Sequence, residues 1–111
     1  MARRRFLLWA PVVVWAAVIF AFSSVPDLGT GLGAWDLVGR KIAHAGEYAI
    51  LGALLFRALD HGARSLVAGS LYAVTDEVHQ SFVEGRVGSP LDWGIDTVGV
   101  AVGVALLARR R

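Results

Sequence analysis

The sequence predicts an all-α integral membrane bundle of four transmembrane helices, on three observations. The chain of 111 residues is 56% hydrophobic and only 18% charged, with a mean hydropathy of +0.58. A soluble domain averages about 45–50% apolar and about 25% charged residues. Four apolar segments of near-spanning length follow one another, and the connections between them are short and rich in Gly and Pro. The length suits a single domain over residues 1–111.

The first segment, 6–22, runs from Phe6 to Phe22 with no charge and no polar face, so it reads as a span and not as the wall of a soluble bundle. Arg3, Arg4 and Arg5 ahead of it also imitate a secretory signal. The length of the run and its Trp and Val content favour a retained helix. Pro11 is expected in the first turns, where a missing N–H is tolerated. The second segment, 42–59, is apolar apart from His44, Glu47, Tyr48 and Arg57. The third, 65–83, turns polar at Thr75, Asp76 and Glu77, and the fourth, 91–108, opens with Asp92 and Asp96 before a Val-, Gly- and Ala-rich stretch. Spans of about 17–25 residues cross a bilayer. In the fourth, Gly99 and Gly103 form a G-x-x-x-G that permits close helix approach. Residues 24–39 and 84–90 read as loops, and Asp60-His61-Gly62 as a tight turn.

Charge sets the expected orientation. With four spans, Arg3, Arg4, Arg5, Arg57, Arg64, Arg109, Arg110 and Arg111 share one side, against Arg40, Lys41 and Arg86 on the other. The positive-inside rule then puts both termini in the cytoplasm. The acids distribute oppositely: only Asp60 lies on the terminal side, while Asp27, Asp36, Glu47, Asp76, Glu77, Glu84, Asp92 and Asp96 belong to the outer half.

Ionisable groups inside spans cost about 2.5–3.5 kcal/mol each on insertion scales, so they face partners or a cavity. Lys41, His44 and Tyr48 form one stripe of the second helix, with Glu47 on the turn of His44. Asp76 and Gln80 are four apart, as are Asp92 and Asp96. Short connections bring these helix ends together into an outward-opening polar pocket. Its candidate acid–base residues are His44, Glu47, Asp76 and Glu77. Its candidate ligand-binding residues are Lys41, Tyr48, Gln80, Arg86, Asp92 and Asp96, with Arg86 and Lys41 suited to phosphate or carboxylate. His44, Glu47, Asp76, His79, Asp92 and Asp96 offer metal-ligating atoms, but no metal signature such as H-E-x-x-H is present. Interhelical hydrogen bonding is the plainer role for such residues. The absence of cysteine excludes disulfides and thiolate chemistry. No cofactor is named by these patterns. The expected partners are membrane lipids, an anionic headgroup or a cell-wall precursor, and no nucleic acid.

Ile19-Phe20 with Ser23-Ser24-x-Pro26, Lys41-x-x-His44-x-x-x-Tyr48, Asp76-Glu77-x-x-Gln80-x-Phe82-x-x-x-Arg86 and Asp92-x-x-x-Asp96-x-x-Gly99 together resemble the VanZ-like membrane proteins. The resemblance covers nearly the whole chain. It implies a small multi-pass bacterial membrane protein of the cell envelope, from a family named for a member associated with low-level teicoplanin resistance. Three functions are open at this point: an envelope protein that binds an anionic lipid or precursor, a membrane-embedded hydrolase acting on such a lipid, and a structural bundle whose charges neutralise one another.

Overall fold

The computed structural model describes residues 2–24, 34–83 and 90–110. Among these residues the chain forms four helices, α1 (Ala2–Ser23), α2 (Ala34–Leu59), α3 (Gly62–Gln80) and α4 (Pro90–Ala108). At 1.5 Å per residue they are about 33, 39, 28 and 28 Å long. Three of them, α1, α2 and α4, are long and apolar enough to cross a membrane. The fourth, α3, matches α4 in length but carries Asp76 and Glu77, both buried in the bundle.

Helix ends differ from the sequence-based expectation where local chemistry extends or trims them. The second helix starts at Ala34 instead of Ile42, so residues 34–39 of the expected loop are helical. Asp36 sits in the first turn, where a carboxylate favours the positive end of the helix dipole. The rest of that expected loop, 25–33, lies outside the described residues. Asp60 takes a left-handed conformation (φ 51°) between α2 and α3, which Asp adopts more readily than most residues. His61 then caps α3, its Nδ1 accepting from the Arg64 N–H at 3.1 Å, and the helix begins three residues before Ser65. It stops at Gln80, and residues 81–83 follow as turn and bend. Pro90 opens α4, where its fixed φ and missing N–H suit the first helical position. Because α1 starts at Ala2, Pro11 falls in the helix interior and not in its first turns. A membrane helix tolerates this when neighbouring groups take up the freed carbonyl.

The bundle is inside-out compared with a soluble protein. Ser23, Ser65, Asp76, Glu77, Gln80 and Asp96 are buried, while Val13, Phe20, Ile42, Val67, Val98 and Leu106 are exposed. Exposed apolar surface on this scale marks contact with lipid. The interior apolar cluster is small and central: Ile19, Tyr48, Leu51, Ala73 and Val100.

The most extensive helix contact is between α2 and α4, which run parallel. A Cβ at Gly99 would sit 2.5 Å from the Ala45 carbonyl oxygen. One at Gly103 would overlap the Ala49 carbonyl oxygen, and one at Gly52 would overlap the backbone of Val100. The two glycines of the G-x-x-x-G therefore face Ala45 and Ala49, four apart on α2, and backbone meets backbone. Side-chain to main-chain bonds tie on the remaining helices. Trp15 Nε1 donates to the Glu47 carbonyl at 2.8 Å, and the Tyr72 hydroxyl to the Ala16 carbonyl. Trp93 Nε1 donates to the Ser70 carbonyl at 3.1 Å, and Ser70 meets Thr97 at 3.2 Å.

Candidate functional site

The ends of α1 and α3 and the beginnings of α2 and α4 meet at one end of the bundle. Up-down connectivity requires this, and the buried polar residues Ser23, Asp76, Glu77, Gln80 and Asp96 are gathered there. Lys41 on α2 pairs with Asp92 on α4, each side chain about one-quarter exposed. One turn further in, His44 Nδ1 lies 3.2 Å from Asp96 Oδ1, and Asp96 is completely buried. Gln80 Nε2 stands 3.4 Å from His44 Nε2, 3.3 Å from Ser23 Oγ and 3.4 Å from Asp76 Oδ2. The Tyr48 hydroxyl donates to the same Asp76 oxygen at 2.8 Å.

In the neutral imidazole tautomer that carries Nδ1–H, Nδ1 donates to Asp96 and Nε2 accepts from Gln80. The Gln80 amide has two hydrogens for three acceptors, so it cannot satisfy all of them at once. Among the described residues, two buried oxygens, Asp76 Oδ1 and Asp96 Oδ2, have no hydrogen-bond partner.

One ligating atom each from His44, Asp76, Glu77 and Asp96 falls within a set whose members all lie within 4.8 Å of one another. A cavity of about 30 Å³ opens beside them, lined by Arg40, Lys41, His44, Gln80, Asp92, Ile95 and Asp96. At about 10–15 Å³ per water-sized guest it admits a small polar group and not a sugar ring.

The structure sorts the residues proposed from sequence. His44, Asp76, Glu77 and Asp96 form the cluster. Gln80 links it, and Tyr48, fully buried, donates to Asp76. Lys41 and Asp92 form an ion pair at the cavity mouth. Glu47 is half-buried and outside the four-residue cluster. His79 is also outside it, meeting Ser24 Oγ at 2.8 Å and stacking on Phe20 with ring centroids 4.1 Å apart. Arg86 lies outside the described residues. Two contributors were not proposed from sequence, Arg40 and Ser23. Arg40 was legible in principle, because it is four residues before His44 and shares its face. Ser23 belongs to the Ser23-Ser24-x-Pro26 pattern of the sequence, and its burial against Gln80 gives it a part in the network.

The VanZ/LLP1 family model matches residues 6–110. The chain belongs to the VanZ/LLP1 family. No curated protein and no solved structure matches it. The matched span of this VanZ/LLP1 protein takes in the three helices that build the cluster.

Proposed function

We propose that this VanZ/LLP1 protein binds the anionic headgroup of an envelope lipid or cell-wall precursor at the polar end of its bundle. That end would face outward from the bacterial cytoplasmic membrane, with both termini in the cytoplasm, as the split of basic residues favours. The observation that carries the reading is the cavity with Arg40 and Lys41 in its wall. These supply N–H donors where phosphate or carboxylate oxygens arrive from the headgroup layer, and a guanidinium matches two such oxygens at once. The small cavity volume fits a headgroup seated at the mouth while its acyl or prenyl chains remain in lipid. A link to glycopeptide (teicoplanin) resistance belongs to the same proposal: a protein that holds an anionic precursor changes how much of it the antibiotic meets.

The test is binding of phosphatidate and phosphatidylcholine to the purified protein in one detergent, for wild type, Arg40→Gln and Lys41→Gln. A preference for the anionic lipid that falls in both variants supports the reading. Equal binding of the two lipids by wild type contradicts it.

One observation favours a second reading, a hydrolase. The His44 ring is held between Asp96 and Gln80, an arrangement suited to general acid–base work on a headgroup ester. Release of headgroup by wild type, lost in His44→Ala and Glu77→Gln, would establish it.

A further inference from the structure

We propose that His44, Asp76, Glu77 and Asp96 hold one divalent first-row cation, joining α2, α3 and α4. Two observations carry this beyond headgroup binding, and it does not depend on that reading.

The first is the donor set: one imidazole and three carboxylates, from three helices, with ligating atoms all within 4.8 Å of one another. Imidazole with carboxylates suits Mn²⁺, Fe²⁺ or Zn²⁺, while an all-oxygen shell suits Mg²⁺ or Ca²⁺. The second is unmet acceptor capacity. Asp76 is 2% exposed and Asp96 is 0% exposed, and each keeps one carboxylate oxygen with no hydrogen-bond partner among the described residues. Buried carboxylate oxygens in that state require a proton or a cation.

The site has a ready second shell. Tyr48 and Gln80 both donate to Asp76 Oδ2, which orients the carboxylate as outer-shell partners do in metal sites. The cavity beside His44 and Asp96 offers an entry path and room for a water ligand or one headgroup oxygen.

The test uses the full chain in detergent, stripped with a chelator and titrated with Mn²⁺ alone, no lipid being added. Binding is read from the loss of the free-ion EPR signal, and folding from thermal unfolding. The expected result is one Mn²⁺ per chain and a Tm that rises with Mn²⁺ and with Zn²⁺. Asp76→Asn and Asp96→Asn should each weaken binding about tenfold or more, with a metal-free Tm equal to or above that of wild type, because each removes a buried charge. His79→Ala, outside the cluster, should bind as wild type. A site held together only by hydrogen bonds gives the opposite stability response, a lower metal-free Tm with no Mn²⁺ effect. If the Asp variants do not fold, pulsed EPR of Mn²⁺ on wild type decides: a directly coupled imidazole nitrogen is expected, and its absence overturns the proposal. No saturable Mn²⁺ or Zn²⁺ binding, or binding unchanged in the folded Asp variants, overturns it as well. Since lipid is absent throughout, failure here leaves the headgroup reading intact, and failure there leaves this one intact.

Discussion

The interface between α2 and α4 has two halves built on opposite principles. In the deeper half, Gly99 and Gly103 rest on Ala45 and Ala49, and Gly52 on Val100, with no side-chain polar atom involved. In the half toward the helix beginnings, Lys41 meets Asp92 and His44 meets Asp96. The small-residue seam is enough to fix how closely the two helices approach, since dispersion between backbones drives such contacts in lipid. The charges add cost where the seam does not need them. The pair therefore separates two tasks: the seam sets the spacing, and the polar half uses it. Ala45 follows His44 directly, and Gly99 is one turn from Asp96, so any change in seam spacing moves the site.

The largest effect should come from filling the seam. In Gly103→Leu the first added carbon already overlaps the Ala49 carbonyl. Overpacking a tight core costs about 1–3 kcal/mol, occasionally more, and this variant should exceed about 3 kcal/mol because the obstacle is backbone. Loss of folded protein in a thermal or denaturant series checks it. A wild-type Tm would break the claim that the seam sets the spacing.

A middle effect is expected inside the polar half. Tyr48→Phe removes the 2.8 Å donor to Asp76 and leaves a buried oxygen short, at a cost of about 1–3 kcal/mol. Measured with and without Mn²⁺, it sharpens the comparison: the loss should be smaller when a cation also holds Asp76. A smaller effect is expected at the mouth. Lys41→Met breaks an ion pair that is about one-quarter exposed, and its stability cost should stay below about 1 kcal/mol, while anionic-lipid binding falls clearly. A large loss of Tm would instead make Lys41 part of the structural frame.

Much of this division is present in the sequence. The carboxylates interrupt apolar runs, and i, i+4 spacing with up-down connectivity is enough to bring Asp76, Asp96 and His44 to one end. The G-x-x-x-G is visible too, but not its partner Ala45-x-x-x-Ala49, since alanine is unremarked in an apolar helix. Rotation about each helix axis is what sequence does not show. Glu47 and His79 each lie three residues from a cluster member, His44 and Asp76, yet both fall outside the cluster, because packing of Trp15 on the Glu47 carbonyl and of Phe20 on His79 belongs to tertiary structure. The start of α2 was hidden for a local reason: Gly39 and the nearby glycines suggest a loop, whereas Asp36 at the helix beginning and the bundle around it favour helix.

In the proposed function, the polar end of the bundle is a ligand site open to the outside of the cell. The chain has no cysteine, so single cysteines report without background. Arg40→Cys places one in the cavity wall, and Ala63→Cys places one at the beginning of α3, at the opposite end. The most direct measurement is labelling of both variants in intact cells with a membrane-impermeant maleimide. The expected result is labelling of Arg40→Cys and protection of Ala63→Cys until the cells are opened. Labelling of Ala63→Cys with protection of Arg40→Cys would contradict it, turning the cavity toward the cytoplasm and removing the outward-facing envelope ligand from the site.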